Sequence, residues 1–295
     1  MLNTIEEYLD ALKEEMNDAD PALVQDALAD AREHLTVALK ASKEKQADLS
    51  DADALKAIIE EYGSPEETAS AYKEVERRTS PVLSQPVKPR SFLGRFFGVY
   101  TDARAWGALL YMFIAFITGV LYFTWAVTGV SVSVSFLIFI FGFPFALLFL
   151  LSVRGLALLE GRLVEALLGV RMPRRPLFSH QGMKWLERLK ALVTDRQTWL
   201  MILYMLIQFV LGTIYFVLIV TVLSFSLSFI AVPVFQEFFN QGALQITDSI
   251  RYRFETWTYP LWVLGGILLW TTFMNIARGI GQLHGRMAKW ILVGE

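Results

Sequence analysis

YTDARAWGALLYMFIAFITGVLYFTWAVTGVSVSVSF, residues 100–136, returns 93 residues later as VTDRQTWLMILYMLIQFVLGTIYFVLIVTVLSFSLSF, residues 193–229, with 17 of 37 positions identical. The shared positions include Asp102/Asp195, Trp106/Trp199, Tyr111/Tyr204, Gly119/Gly212 and Tyr122/Tyr215. A further shift of 31 residues lays Arg154, Gly155, Gly161 and Arg162 on Arg278, Gly279, Gly285 and Arg286, so the second copy carries an insertion before its last apolar stretch. Four stretches without Asp, Glu, Lys or Arg, at 106–128, 132–153, 199–221 and 257–277, can each supply the roughly 20 residues that cross a hydrocarbon core. Each copy therefore holds two spans, an even number. The copies keep one orientation and are expected to be parallel repeats, about 91–172 and 182–295, related by an axis along the membrane normal.

Outward from the repeat, composition agrees. The chain is 54% hydrophobic and 14% aromatic over 295 residues, which a water-soluble domain does not sustain. The net charge of −2 hides a division. Residues 1–80 hold 20 Asp/Glu against 9 Lys/Arg, and residues 81–295 hold 9 against 18. No apolar signal segment precedes the acidic part. Between the second and third spans, residues 154–196 carry nine Lys/Arg against four acids, and positive charge marks the cytosolic side. Both termini are thus expected in the cytosol of a multi-pass protein of the cell membrane. The apolar piece 222–235, alternating Ser224, Ser226 and Ser228 with Phe225, Leu227 and Phe229, is too short to span by itself and reads as extended or re-entrant near the outer surface, with continuation of a long helix left open.

The fold class expected is all-α: a small cytosolic helical bundle (1–80), a Pro-rich linker (81–90, with Pro81, Pro86 and Pro89), and four transmembrane helices (91–295). Helix starts in the head are marked by Thr4 with Glu7, Asp20 with Pro21, Ser50 with Asp53, and Ser64 with Glu67. Gly63 is expected at a left-handed C′ position. The run IEEYGSPEETASAYKEVE, residues 59–76, together with the earlier YLDALKEEM, resembles the HAAS type of signalling domain. That resemblance implies protein–protein signalling alongside transcriptional regulators, and no catalysis.

Before each copy's first span lies an amphipathic stripe: Phe92, Leu93, Phe96, Val99 and Tyr100, then Trp185, Leu186, Leu189, Leu192 and Val193. Both read as helices lying in the inner interface. An apolar hairpin followed by SVRGLALLEGRLVEALLGV (152–170), with the second copy ending ARGIGQLHGRMAKWILVG (277–294), resembles the sensor family that forms the membrane part of many bacterial and archaeal sensor kinases. Members often continue into a kinase core. No phosphoacceptor histidine or ATP-binding glycine motif follows here, so output is expected through the head or another chain.

The chemistry-bearing residues are sparse. With no cysteine, thiolate chemistry is excluded, and no Walker loop, dinucleotide fingerprint, HExxH, EF-hand loop or GxSxG elbow occurs. His34, His180 and His284 are scattered, so neither metal nor cofactor is expected. Arg154, Glu160 and Arg162, with Arg278, His284 and Arg286, stand where spans leave the membrane. Either the arginines snorkel to lipid phosphates and pack the two repeats together, or these residues form a cytosolic transmission joint. The insertion near 237–257 carries Glu237, Asp248, Arg251, Arg253 and Glu255, an interfacial anchor or an outer sensing segment. The expected partners are membrane lipids and a cytosolic regulatory protein bound by the N-terminal domain. A homo-oligomer is compatible with the sequence, and nucleic acid is not expected. The leading reading is a non-enzymatic membrane sensor that relays a membrane or external cue. The alternative is a transport-related or lipid-handling membrane protein.

Overall fold

A computed structural model describes residues 2, 4–45, 50–79, 91–136, 142–174, 185–238, 244–247 and 250–294. The head comprises α1 (Ile5–Glu15), α2 (Pro21–Lys45), α3 (Asp51–Tyr62) and α4 (Pro65–Thr79). Each begins where the sequence supplies an acceptor for free N–H groups. Thr4 Oγ1 takes the Glu7 N–H at 3.1 Å, Asp20 Oδ1 the Ala22 N–H at 2.9 Å, and Ser50 Oγ the Asp53 N–H at 3.2 Å. Ser64 and Glu67 complete a reciprocal capping box, at 3.2 and 2.9 Å. Gly63 closes α3 at φ +109°, ψ 155°, a mirror-extended conformation that differs from the left-handed helical one expected and is even more restricted to glycine. The carbonyl it presents accepts the hydroxyl of buried Tyr8 at 3.0 Å. Around that tyrosine pack Leu12, Met16, Leu23, Leu35 and Leu55, so the apolar stripe of α2 is the floor of the head's core.

Beyond the linker 81–90, which lies outside the described residues, come α5 (Phe92–Phe97), α6 (Ala103–Phe136), α7 (Gly142–Leu168), α8 (Trp185–Thr194), α9 (Arg196–Phe238) and α10 (Tyr259–Lys289), closed by a π turn at Trp290–Gly294. Between α9 and α10 an antiparallel hairpin pairs β1 (Leu244–Thr247) with β2 (Ile250–Tyr252), with a bulge between Gln245 and Thr247. Among the described residues, four helical segments are long and apolar enough to cross a membrane. The stripes before the first span of each copy are indeed helical, as α5 and α8.

Two boundaries depart from the sequence reading. Residues 132–136 belong to α6, and the second long helix starts at Gly142, with Pro144 in a first turn that needs no N–H from it. Residues 222–235 are neither extended nor re-entrant: they continue α9, whose 43 residues run about 64 Å at the helical rise. The serine alternation misled because a helix can absorb hydroxyls. Ser226 donates to the Gly266 carbonyl at 2.7 Å, and in the first copy Ser135 donates to Ser131 O at 2.8 Å. An extended segment among lipids would instead leave its own backbone unsatisfied.

The chain divides into two compact units, each drawing on both copies. One contains the head, residues 125–204 and the C-terminal turn. In it α7 packs on α8, and Trp125 donates to Ser152 Oγ at 2.8 Å. The other contains residues 86–124 and 205–284. There α6 and α9 cross at their paired glycines: a Cβ on Gly119 would stand 2.7 Å from Gln208 O, and one on Gly212 would stand 2.2 Å from Ala115 O. Ala115 and Gln208 are themselves repeat mates. Flanking the crossing, Phe116 stacks on Phe216 at 4.4 Å and Phe123 on Phe209 at 4.6 Å, again mates with exchanged partners. Gln208 also reaches Tyr111, so it meets residues four before and four after its own mate.

Candidate functional site

The arginines singled out from the repeat form exchanged contacts. Arg154, from the second long helix of copy one, donates to Asp195 Oδ2 at 2.7 Å and Thr198 Oγ1 at 2.8 Å, at the start of copy two's first long helix. Arg278, its mate, donates to Asp102 Oδ2 at 3.0 Å, at the start of copy one's first long helix. Asp102 and Asp195 are mates, and each precedes a helix whose N-terminal dipole favours a carboxylate. The aspartates were visible as repeat identities, yet nothing in one sequence says that each belongs to the other copy's arginine.

The next position inward repeats the exchange with altered chemistry. Tyr204 donates to Glu160 Oε1 at 3.1 Å, and Tyr111 meets His284 Nε2 at 2.6 Å. Glu160 and His284 are mates, as are Tyr111 and Tyr204. His284 is also bound through Nδ1 by Tyr215 at 3.1 Å, and Gln208 donates to Tyr111 at 3.2 Å. The remaining pair of candidates stays outside: Arg162 is exposed, donating to Glu165 at 3.3 Å and to Arg174 O at 3.2 Å, and Arg286 is exposed on α10. Of the six, then, Arg154, Glu160, Arg278 and His284 tie helices together, while Arg162 and Arg286 face outward.

A second cluster escaped the sequence reading. Just past α7, Arg171 is 8% exposed and reaches Asp26 of α2 at 3.0 Å, Glu76 of α4 at 3.1 Å and Glu165 of α7 at 3.2 Å. Arg174 completes it: its N–H donates to Asp26 Oδ1 at 2.6 Å and its guanidinium to Glu165 Oε1 at 3.0 Å. Partial burial alone would lower the Arg174 pKa, but Glu165, Glu76 and Asp26 together hold it above the usual arginine value. Lys289, at the end of α10, reaches Asp20 at the start of α2. Acids that look like a solvated helix face are therefore the head's attachment to the membrane part. The acidic head and the basic inner loop were both legible; their pairing was not, because residues 145 positions apart share no local pattern.

In the outer insertion, Asp248 lies outside the described residues and Arg251 is described only as backbone in β2. Glu237 accepts the Tyr259 hydroxyl at 2.8 Å, and Arg253 donates to Gln236 O at 3.4 Å. The buried Gln236 amide bonds Phe254 through both its oxygen, at 2.9 Å, and its nitrogen, at 3.1 Å. Glu255 is exposed, and its carbonyl accepts from Thr258 at the entry to α10. Those contacts build the return into the last helix.

Comparison with known families agrees with the geometry. The family model described as Putative sensor matches residues 111–292, and the HAAS family model matches residues 7–71. Neither a curated protein nor a solved structure matches the chain.

Proposed function

The chain belongs to the Putative sensor family and carries a HAAS domain at its N-terminal end, and from that premise we propose that it relays a membrane or external cue to a cytosolic regulatory protein through the head, without catalysis. The observation that carries this reading is the Arg171 cluster. It ties α2 and α4 of the head to the residues that directly continue α7, so displacement of α7 along or about its axis reaches α2 through a charge-assisted hydrogen bond to Asp26 and α4 through the ion pair with Glu76. The exchanged contacts of Arg154 and Arg278 supply the other half of the reading: movement in one copy pulls on the first long helix of the other. The charge asymmetry supports a head, an inner loop and a C-terminus in the cytosol of a cell-membrane protein.

Two measurements test this. Reporter fusions at Met1, Pro173 and Glu295 should be active inside and one at Gln241 outside; an externally active fusion at Pro173 refutes the topology. Affinity capture with the full chain and with its Arg171→Gln variant should retain a regulatory protein in different amounts. Equal capture by both, or capture by neither, refutes the relay.

A further inference from the structure

Beneath the head, in the unit that contains it, lies a cavity of about 270 Å³. Leu158 of α7, Leu192 of α8, Met201 of α9 and Leu292 of the C-terminal turn make its walls apolar, and Gln25 of α2 reaches it from the head. Two guanidiniums, Arg154 and Arg188, also line it, close enough for their like charges to oppose each other. Asp195 is committed to Arg154. Arg188 has no such acid among the described residues, and its Nε is buried without a hydrogen-bond partner among them. Arg188 as a whole is half-buried, but this one donor of its guanidinium is turned from solvent with nothing among those residues to accept from it, and the natural complement of such a cationic donor is an oxyanion. Gly155 lies on the same wall, and a Cβ built on it meets nothing within 4 Å, so the helix surface there opens directly onto the cavity.

We propose that this cavity is a binding site for a single-chain acidic amphiphile, its oxyanion held by Arg188 and its chain lying against Leu158, Met201 and Leu292. The chemistry selects this class. The arginines exclude a metal ion or an ammonium headgroup, and the walls offer a small free anion little beyond the guanidiniums. The volume lies just below the roughly 300–1,000 Å³ of small-molecule sites, which suits one chain and not a two-chain lipid. A carboxylate and a phosphate headgroup share the required chemistry, and either can be supplied by a membrane. The site is independent of the relay reading, since its test reads binding alone.

The test uses the full chain in phosphatidylcholine nanodiscs with photoreactive palmitate and photoreactive lysophosphatidate, the crosslinks being mapped by mass spectrometry. Labelling at Leu158, Met201 or Leu292 by either probe is expected, and the stronger of the two identifies the headgroup. Arg188→Gln should reduce labelling at least tenfold. Gly155→Leu should abolish it by filling the cavity while leaving the charges in place, and a leucine raises helix propensity where glycine lowers it. Competition by unlabelled lysophosphatidylcholine equal to that by lysophosphatidate overturns the charge requirement. Equal competition by inorganic phosphate overturns the apolar one, and wild-type labelling in both variants overturns the site.

Discussion

Arg171→Gln should free the head from the membrane part without unfolding it. Removing one partner of a buried ion pair typically costs about 3–5 kcal/mol, most of it from charge left behind in a dry site. Here the residue touches three carboxylates, at 3.0, 3.1 and 3.2 Å, but two of them keep other contacts: Arg174 N–H still holds Asp26 and its guanidinium still holds Glu165. The loss is therefore expected below that range, at about 2–3 kcal/mol, or about 30- to 140-fold in the docked-to-free ratio at 1.4 kcal/mol per decade. The head's own core of Tyr8, Leu12, Met16 and Leu35 does not involve Arg171 and should survive. Because the chain has no cysteine, Lys56→Cys in the head and Ala166→Cys on α7 can carry paired spin labels without background. The unaltered clamp should give one narrow distance distribution and Arg171→Gln a broad one. Adding Asp26→Asn and Glu76→Gln to that variant should recover part of the narrow component, because it removes the carboxylate charge that Arg171 had balanced. An unchanged narrow distribution in Arg171→Gln alone would refute the clamp.

Gly119→Val or Gly212→Val should lower the thermal midpoint of the purified chain, by about 1–3 kcal/mol of overpacking, since each Cβ would collide with facing backbone; an unaltered melt rejects the crossing. Arg154→Gln and Arg278→Gln should each cost about 1.5–3 kcal/mol for lost hydrogen bonds to a carboxylate, with similar losses because their roles are exchanged. Lysine at either position should rescue only part, and full rescue would reduce the arginines to simple charges. Burial raises the Tyr8 pKa above 10.0, so the tyrosine stabilises the head below that pH and the contribution is lost as pH rises through the folded value. The isolated head should therefore melt at lower temperature above pH 10, a drop that Tyr8→Phe should remove; a Tyr8→Phe profile parallel to wild type excludes it as the cause.

What could be read from the sequence was what repeats locally or within one copy. Serine and threonine caps, the α2 stripe and the four apolar stretches announce themselves because the physics behind them acts over a few residues. The repeat identities reached further, marking Asp102/Asp195 and Gly119/Gly212 before any geometry was known. What stayed hidden were contacts whose partners differ in sequence context. Asp26 reads as one more polar position on an acidic helix until Arg171 is brought to it, and Arg188 reads as an interfacial cation until the cavity beside it is seen. The long extension of α9 stayed open for a different reason: alternation of serine with phenylalanine has the period of a strand, but away from water the backbone's need for internal hydrogen bonds outweighs that pattern.

The exchanged contacts of the two copies are alike at Arg154 with Asp195 and Arg278 with Asp102 but differ in chemistry where Glu160 meets Tyr204 and His284 meets Tyr111, and this mismatch carries a testable asymmetry. A neutral imidazole donates from one nitrogen and accepts at the other. Gln208 donates to the Tyr111 oxygen, and Tyr111 and Tyr215 meet the two ring nitrogens of His284, so in either tautomer the histidine gives a hydrogen bond to one tyrosine and takes one from the other. The histidine thus joins the Gln208–Tyr111 pair to Tyr215, and only a residue with both a donor and an acceptor can stand between the two tyrosines in this way. At the matching position Glu160 accepts from Tyr204. Glu160→Gln preserves an acceptor and should change stability by less than about 1 kcal/mol, whereas His284→Phe deprives two buried tyrosines of their shared partner and should cost about 1–3 kcal/mol. Adding Tyr215→Phe to His284→Phe should restore part of that loss by removing one of the two hydroxyls. Thermal unfolding of the purified chain decides it, and a Glu160→Gln cost as large as that of His284→Phe would mean that the histidine's bridge between the two tyrosines adds nothing beyond what a single acceptor supplies.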